Sequence, residues 1–413
     1  MMDALLGRLS TKRISRTKIT HNQPSTIYQD DPGPQIRLVE DLVALIVQQG
    51  EGIWGRADFA HFSRVSPAWL PPVRRILYSS IELRSVRQWK LLTSSLASNS
   101  SLSPLIRRIS VIQRLDKEVE NMSSQAVSKA ITALFAGISH VREVVMEGSI
   151  AVASLGEALS ALPRPRLLLE IDVKGPPPGS AAQLPRMADK LLVWSSATPV
   201  KYIQHLTLRG VQLQIALPPS HRGFPPNLTH LCLEGATVSN IQSLTVYPPL
   251  QCLTISGTGI DLSDAADLAR NIIGNVHNTI TQLSISVNKE SEPLQFDLFN
   301  DIGGWRFPQC DHLKSLRTDG IFYSRQAFVN ITSACPALDD WQVHDSNIPH
   351  FVKSWNAWVG GGKMPALKKM KVSGLTGGIV SLYRERVLLE EDLKVELFEV
   401  AENAEIELIC EDC

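Results

Sequence analysis

Residues 227–238 read NLTHLCLEGATV and residues 249–260 read PLQCLTISGTGI. Both follow Leu-x-x-Leu-x-(Leu/Ile)-x-Gly, through Leu228, Leu231, Leu233 and Gly235 and then Leu250, Leu253, Ile255 and Gly257, with the lead leucines 22 residues apart. Apolar residues at i and i+2 have the two-residue period of a strand. Leu231 and Leu233 are therefore predicted to face a core, with His230, Cys232 and Glu234 on the opposite side. The glycine that follows permits a sharp exit from the strand.

The same spacing recurs in both directions. Upstream are Ile203-Leu206-Leu208, Leu168-Ile171-Val173, Val141-Val144-Met146 and Ile106-Ile109-Val111; downstream are Ile280-Leu283-Ile285, Leu313-Leu316-Thr318, Leu338-Trp341-Val343 and Leu367-Met370-Val372. Glycine closes several of them, at Gly148, Gly175, Gly210, Gly320 and Gly374. Lead positions are 22 to 35 residues apart, near and somewhat above the leucine-rich-repeat period. Between them lie helical patterns. SSQAVSKAITALFAGI puts Val127, Ile131, Leu134, Phe135 and Ile138 on one face, and LSDAADLARNIIGNV does so with Ala265, Leu268, Ile272 and Val276 after a cap at Ser263 or Asp264. SRQAFVNITSACPAL and IPHFVKSWNAWVGGG repeat the theme, while the Pro-rich KGPPPGS, LPPSHRGFPPN and VYPPL read as turns or loops. No single unit can bury its own apolar face, so the units must stack. The expected fold is α/β, a leucine-rich-repeat solenoid (horseshoe) with parallel strands on its concave face, behind a small all-α domain. The repeats are irregular, and the Asn or Cys that usually follows the strand is mostly missing.

Hydrophobic residues make up 44% and charged residues 20% of the 413, values of a folded chain. Forty-one basic and 41 acidic residues cancel, so no global field points to nucleic acid or an anionic membrane as partner. No apolar run reaches the roughly 20 residues of a membrane span, and no signal-peptide pattern opens the chain. Six cysteines are too few for a disulfide framework, and the expectation is a reduced protein of the cytoplasm or nucleus. The Asn-x-Ser/Thr triplets at Asn99, Asn121, Asn227 and Asn330 are then chance matches. Charge is nevertheless uneven. Residues 1–20 carry Arg8, Lys12, Arg13, Arg16 and Lys18 against Asp3, and the chain beyond Glu385 is strongly acidic.

Ahead of the repeats, Val39, Leu42, Val43, Ile46 and Val47 outline an amphipathic helix, and Phe59, Phe62 and Val65 a second, with Trp69 and Leu70 beside Pro67. Asp58-Phe59, then Phe62, Ser63, Val65, Ser66 and Trp69, and finally Leu77-Tyr78-Ser79-Ser80-Ile81-Glu82-Leu83, resemble the F-box family as it occurs in fungi. Leu38 is followed by Val39 where the family has Pro, and QQGEGIWGRA is longer than the family's link. The order, F-box and then leucine-rich repeats, resembles F-box/leucine-rich-repeat proteins over nearly the whole chain. That resemblance implies docking on a Skp-type adaptor that bridges to a cullin-based ubiquitin ligase, with Leu42, Ile46, Phe59, Phe62, Val65 and Trp69 as docking or F-box core residues and a protein substrate held by the solenoid. The alternative is a leucine-rich scaffold or regulator with no ubiquitin link, its N-terminal helices serving as a cap. The expected division is a basic arm at 1–35, an F-box-like domain at 36–85, a solenoid at 86–400 and an acidic tail at 401–413.

Catalytic patterns are wanting. There is no Gly-x-Ser-x-Gly, His-Glu-x-x-His or Walker loop; the GGGKM at 360–364 has neither the spacing nor the Ser/Thr of a phosphate loop. Cys410-Glu411-Asp412-Cys413 supplies half a zinc site. No catalytic residue, metal or cofactor is expected, and an enzyme is the last-ranked reading. What remains is a polar face whose side chains alternate with the buried leucines. Arg209, Glu234, Arg317, Gln342, His344, Lys369 and Lys371 are the candidate substrate contacts, the last group leaning basic.

Overall fold

All ten of the three-point segments form strands of five residues, nine of them with two apolar side chains on the covered side (in β12 the buried Thr318 takes the second place) and mostly polar ones on the other. The computed structural model describes residues 40–50, 53–112, 123–175, 191–195, 201–216, 224–239, 247–256, 262–286, 307–321, 325–344, 355, 366–373 and 391–411. Its strands are β1 (Ser80–Leu83), β2 (Arg108–Ile112), β3 (Glu143–Glu147), β4 (Glu170–Lys174), β5 (Leu191–Ser195), β6 (His205–Arg209), β7 (Gln212–Ala216), β8 (His230–Glu234), β9 (Thr237–Ser239), β10 (Cys252–Ser256), β11 (Gln282–Ser286), β12 (Ser315–Asp319), β13 (Asp340–His344), β14 (Lys369–Ser373) and β15 (Glu407–Glu411). Twelve of them make one sheet in the order β1-β2-β3-β4-β6-β8-β10-β11-β12-β13-β14-β15, every pair parallel.

The register aligns like with like. Leu206, Leu231 and Leu253 lie side by side, as do Leu208, Leu233 and Ile255. All six are buried. Backbone hydrogen bonds tie successive units together at both ends of the strands. The carbonyl just before each strand accepts two amides of the next unit: Arg107 O from the Arg142 and Glu143 N–H groups, Gln204 O from those of Thr229 and His230, Lys314 O from those of Asp339 and Asp340. At the far end of the strands the glycine amides donate onward, Gly148 to Lys174 O, Gly175 to Arg209 O, Gly210 to Glu234 O, Gly235 to Ser256 O and Gly320 to His344 O. Four of these glycines, 148, 210, 235 and 320, have φ between 56° and 100°, a region costly for any residue with a Cβ.

Helices and a second small sheet cover the apolar face. The helices are α1 (Glu40–Gln49), α2 (Arg56–Phe62), α3 (Leu70–Ser79), α4 (Val86–Ser98), α5 (Ser124–Ala136), α6 (Ser149–Ala153), α7 (Leu155–Ser160), α8 (Leu262–Val276), α9 (Arg325–Ala334) and α10 (Glu391–Asn403). The predicted stripe of α5 is fully buried, and its Ser123 hydroxyl caps the helix by accepting from the Ala126 N–H at 3.3 Å. Helix α8 already includes Leu262, so Ser263 and Asp264 lie inside it and neither is its cap. Of the stretch around Trp355, only that buried side chain falls within the described residues.

Four features depart from the expectation. First, the sheet is longer at both ends. Ser80–Leu83, taken as the close of the F-box stretch, is strand β1 against β2. Second, the acidic C-terminal segment is not an exposed tail: Glu391–Asn403 is helical, with Leu397 and Ala401 buried, and Glu407–Glu411 pairs with β14. A glutamate-rich segment reads as solvated, yet its sparse apolar residues suffice to dock it. Third, β5, β7 and β9 form a separate parallel sheet on the covering layer, flanked by α6 and α7 at one end and α8 at the other. The Pro-rich neighbourhood hid these strands. Fourth, Cys410 is disulfide-bonded, against the all-thiol expectation, while Cys232, Cys252, Cys310 and Cys335 are free.

The N-terminal helices have a core of their own. Val43, Val47, Phe59 and Val73 are buried together, with Trp54, Phe62, Trp69, Ile76 and Leu77 packed around them, apart from the large core between sheet and helices. Trp54, Phe62 and Trp69 stack in succession at centroid distances of 4.7 and 5.3 Å.

Candidate functional site

Two surfaces stand out, one at the N-terminal helices and one on the uncovered face of the twelve-stranded sheet. On the helices, the six residues of the F-box resemblance separate into two groups. Phe59 is buried, and Phe62 and Trp69 are packed in the aromatic stack, so these three hold the unit together. Leu42 is 49% and Val65 63% exposed, and Ile46 is half-buried. Leu45 and Ile53, exposed by 58% and 80%, were not anticipated. Leu45 lies three residues from Leu42 on the solvent side of α1, and only the direction of the core in space shows that. Among the described residues, eight large hydrophobic side chains are exposed, and four of them lie between positions 42 and 65.

The uncovered sheet face carries three rows of side chains, from the first, third and fifth residues of each strand. Arg209 and Glu234 meet here, with Arg209 Nε 2.8 Å from Glu234 Oε2 and its Nη1 4.0 Å from Asp172 Oδ2. The other five candidates gather on β12 to β14. Arg317 is exposed. The Gln342 amide donates to Asp340 Oδ2 at 3.1 Å, and His344 Nδ1 lies 2.6 Å from Ser373 Oγ. Lys369 and Lys371 follow on β14, beside Asp340 and Gln342 in register. The seven therefore form two clusters, with β10 and β11 between them.

Sequence reasoning missed the N-terminal part of this face. Glu143, Glu170 and Asp172 occupy the same positions on β3 and β4 that the candidates occupy elsewhere, and the strand alternation could have found them. Burial pushes the Glu143 carboxyl up, against the nearby Arg108 guanidinium, and Glu170 and Asp172 push it further the same way. Arg108 Nη1 lies 3.1 Å from Glu143 Oε1.

The centre of the face is neutral. His205 and His230 stack at 4.2 Å between centroids, and burial followed by the neighbouring His205 lowers the His230 pKa below 6.5. Cys232 is pushed up to about 11, chiefly by burial and then by Glu234, so its thiol is protonated at neutral pH and is a poor nucleophile. Among the described residues no group of three His, Cys, Asp or Glu side chains is placed to hold a metal ion, and no helix is long and apolar enough to cross a membrane. A groove of about 750 Å³ on the covering layer runs between α5 and α6–α7 past Ser128, Thr132, Ala133, Ala153 and Glu157. Ser128 Oγ donates to Glu157 Oε2 there at 2.6 Å.

The arrangement as a whole offers contact surface: an apolar one on a small helical unit, and a long polar one on a rigid sheet. In comparisons with known proteins, no family model matches the chain, and neither does any curated protein.

Proposed function

We propose that this chain is a non-enzymatic protein-recognition module, an F-box-type substrate receptor of a cullin-based ubiquitin ligase working in the cytoplasm or nucleus. Its N-terminal helices dock a Skp-type adaptor, and its twelve-stranded sheet, taken as the inner face of a leucine-rich-repeat solenoid, holds a protein substrate. The observation that carries this reading is the concentration of exposed Leu42, Leu45, Ile53 and Val65 on a unit with a separate core, at the head of the long sheet. A unit serving only as a cap would turn its apolar residues toward the sheet, whereas several large apolar side chains left exposed on one small unit support a docking role.

The test is co-purification of the full chain with a Skp-type adaptor, compared with a Leu42→Asp, Leu45→Asp variant. Both positions face solvent, so the variant keeps its fold, in contrast to one at Phe62, which would break the aromatic stack. Stoichiometric adaptor binding that the variant loses is the expected result. A folded wild-type chain that ignores the adaptor would refute the ligase role and leave a leucine-rich scaffold as the reading.

A further inference from the structure

The rim at which the strands begin is basic over its first units. Arg107 and Arg142 stand just before β2 and β3, and the Arg142 amide donates to Arg107 O at 2.7 Å, so the two are backbone neighbours. Arg164 and Arg166 lie at the turn that leads into β4, and Lys201 at the one that leads into β6. All five are exposed, and none makes an ion pair among the described residues. Arg164 Nη1 lies 2.8 Å from His140 Nε2. A guanidinium only donates, so that nitrogen accepts, and His140 Nδ1–H donates to Ser139 Oγ at 2.8 Å. His140 thus steadies Arg164 without neutralising it. Burial, and then the charges of Arg164 and Arg107, hold the His140 pKa below 6.5, which brings Arg107 into the same cluster. Arg166 and Lys201 share the Tyr202 ring, at 5.9 and 5.1 Å from its centre. Leu169, 36% exposed, takes the rim position between Arg142 and Gln204. The carboxylates that follow on β3 and β4 are Glu143, engaged by Arg108 at 3.1 Å, and Glu170, which acts on His230. Further along the rim the same positions are uncharged at Gln204, Thr229, Gln251 and Thr281, and of mixed sign at Lys314, Asp339 and Lys368.

We propose that this stretch of rim binds a short acidic segment of a partner protein, its carboxylates over Arg107, Arg142 and Arg164 and an apolar side chain of it against Leu169. This names a partner chemistry for the protein-recognition reading and rests on it. Planar guanidinium forks match carboxylates in geometry as well as charge. Three strand steps separate β2 from β6, about 14 Å at the usual spacing, which about four extended residues span. The cations end there, and Glu143 and Glu170 bound them on the side of the sheet face. A long polyanion such as nucleic acid would gain nothing beyond that span, would meet those two carboxylates, and has no aliphatic side chain to offer Leu169.

Binding of fluorescein-labelled probes to the full chain, read by anisotropy at low salt, tests this. One probe is the peptide Gly-Ser-Glu-Asp-Leu-Glu-Glu-Ser-Gly; a second has lysine at its four acidic positions; a third has glycine for its leucine; a thymidine oligonucleotide is the polyanion. The acidic peptide should bind about tenfold tighter than the lysine peptide or the oligonucleotide, and about threefold tighter than the peptide without leucine. An Arg107→Gln, Arg142→Gln variant should lose the preference for the acidic peptide. Lys90→Gln, Lys129→Gln, which removes the same charge from exposed positions on α4 and α5, should keep it. Equal binding of the acidic and lysine peptides, no binding of either, an oligonucleotide bound as tightly, no effect of the leucine, or equal losses in the two variants would overturn the proposal. Those outcomes in a chain that still retains the adaptor leave the ligase reading intact. A chain that prefers the acidic peptide and ignores the adaptor would refute the ligase reading alone.

Discussion

Gly175 shows how much one hydrogen atom in place of a side chain decides. A Cβ built there would sit 2.0 Å from the Gly210 carbonyl oxygen. That oxygen is backbone, so no rotamer change relieves the clash, and the Gly175 amide is already committed to Arg209 O. Gly175→Ala should lower stability by about 1–3 kcal/mol, as overpacking does. Gly274, within α8, is the contrasting case, because nothing lies within 4 Å of the added Cβ. Gly274→Ala should raise stability by roughly 0.5–1 kcal/mol through backbone entropy, and urea unfolding of the two variants would resolve both effects. His230 carries a pH signature. Its native pKa lies below the unfolded value of 6.5 because of burial and then the adjacent His205, with Glu170 opposing. The unfolded chain therefore takes up the proton first as pH falls, and the native state loses stability from 6.5 downward until its own lowered pKa is passed. Wild type should lose stability on acidification relative to His230→Gln over that interval and run parallel to it above; parallel curves throughout would contradict the assignment.

Among the elements, α5 shows why an amphipathic pattern becomes a particular helix. Its stripe of Val127, Ile131, Leu134 and Phe135 is fully buried, and Ser123 sits one position before its first turn. Ser123→Ala removes the side-chain acceptor for Ala126 N–H and should cost about 1 kcal/mol, measurable as a lowered denaturation midpoint with an unchanged m-value. The strands work differently. They pair through the parallel backbone ladder, extended by carbonyls that accept two amides at the strand start and, after five of them, by glycine amides that donate at the strand end. That construction explains why uneven repeat lengths are tolerated. The pairing geometry is local to the strand, and the length variation is absorbed in the covering layer, as helix in some units and as β5, β7 and β9 in others.

Across the molecule, two cores imply two cooperative units. Val43, Val47, Phe59 and Val73 are separate from the buried residues of the sheet body. A charge at Val43, as in Val43→Asp, leaves an unpaired buried carboxylate in the small core and should unfold that unit. In hydrogen exchange, amides of α1 to α3 should lose protection while those of β8 to β14 keep it; loss in both regions would mean that the cores are coupled. The separation also bears on function, since an adaptor-docking variant and a sheet-face variant can then be made independently.

The sequence alone determined the ten strands, their apolar sides, the stripe of α5, the Leu268, Ile272 and Val276 side of α8, and the α/β class. Those follow from periodicities of 2 and 3.6 residues, which are local. It also pointed to the polar rows, because alternation assigns one side of each strand wherever the other is buried. What periodicity could not supply was direction in space. Leu42 and Phe62 read alike in the sequence, yet the first faces solvent and the second packs on Trp54 and Trp69. Charge and proline outweighed sparse apolar residues in the last helix, in β15 and in the second sheet, so their docking became visible only in the fold. The meeting of Arg209 with Asp172 and Glu234, and that of Arg107 with Arg142, depend on which strands lie side by side. Residues far apart in sequence come together there through a register set by the whole sheet, which no single stretch encodes.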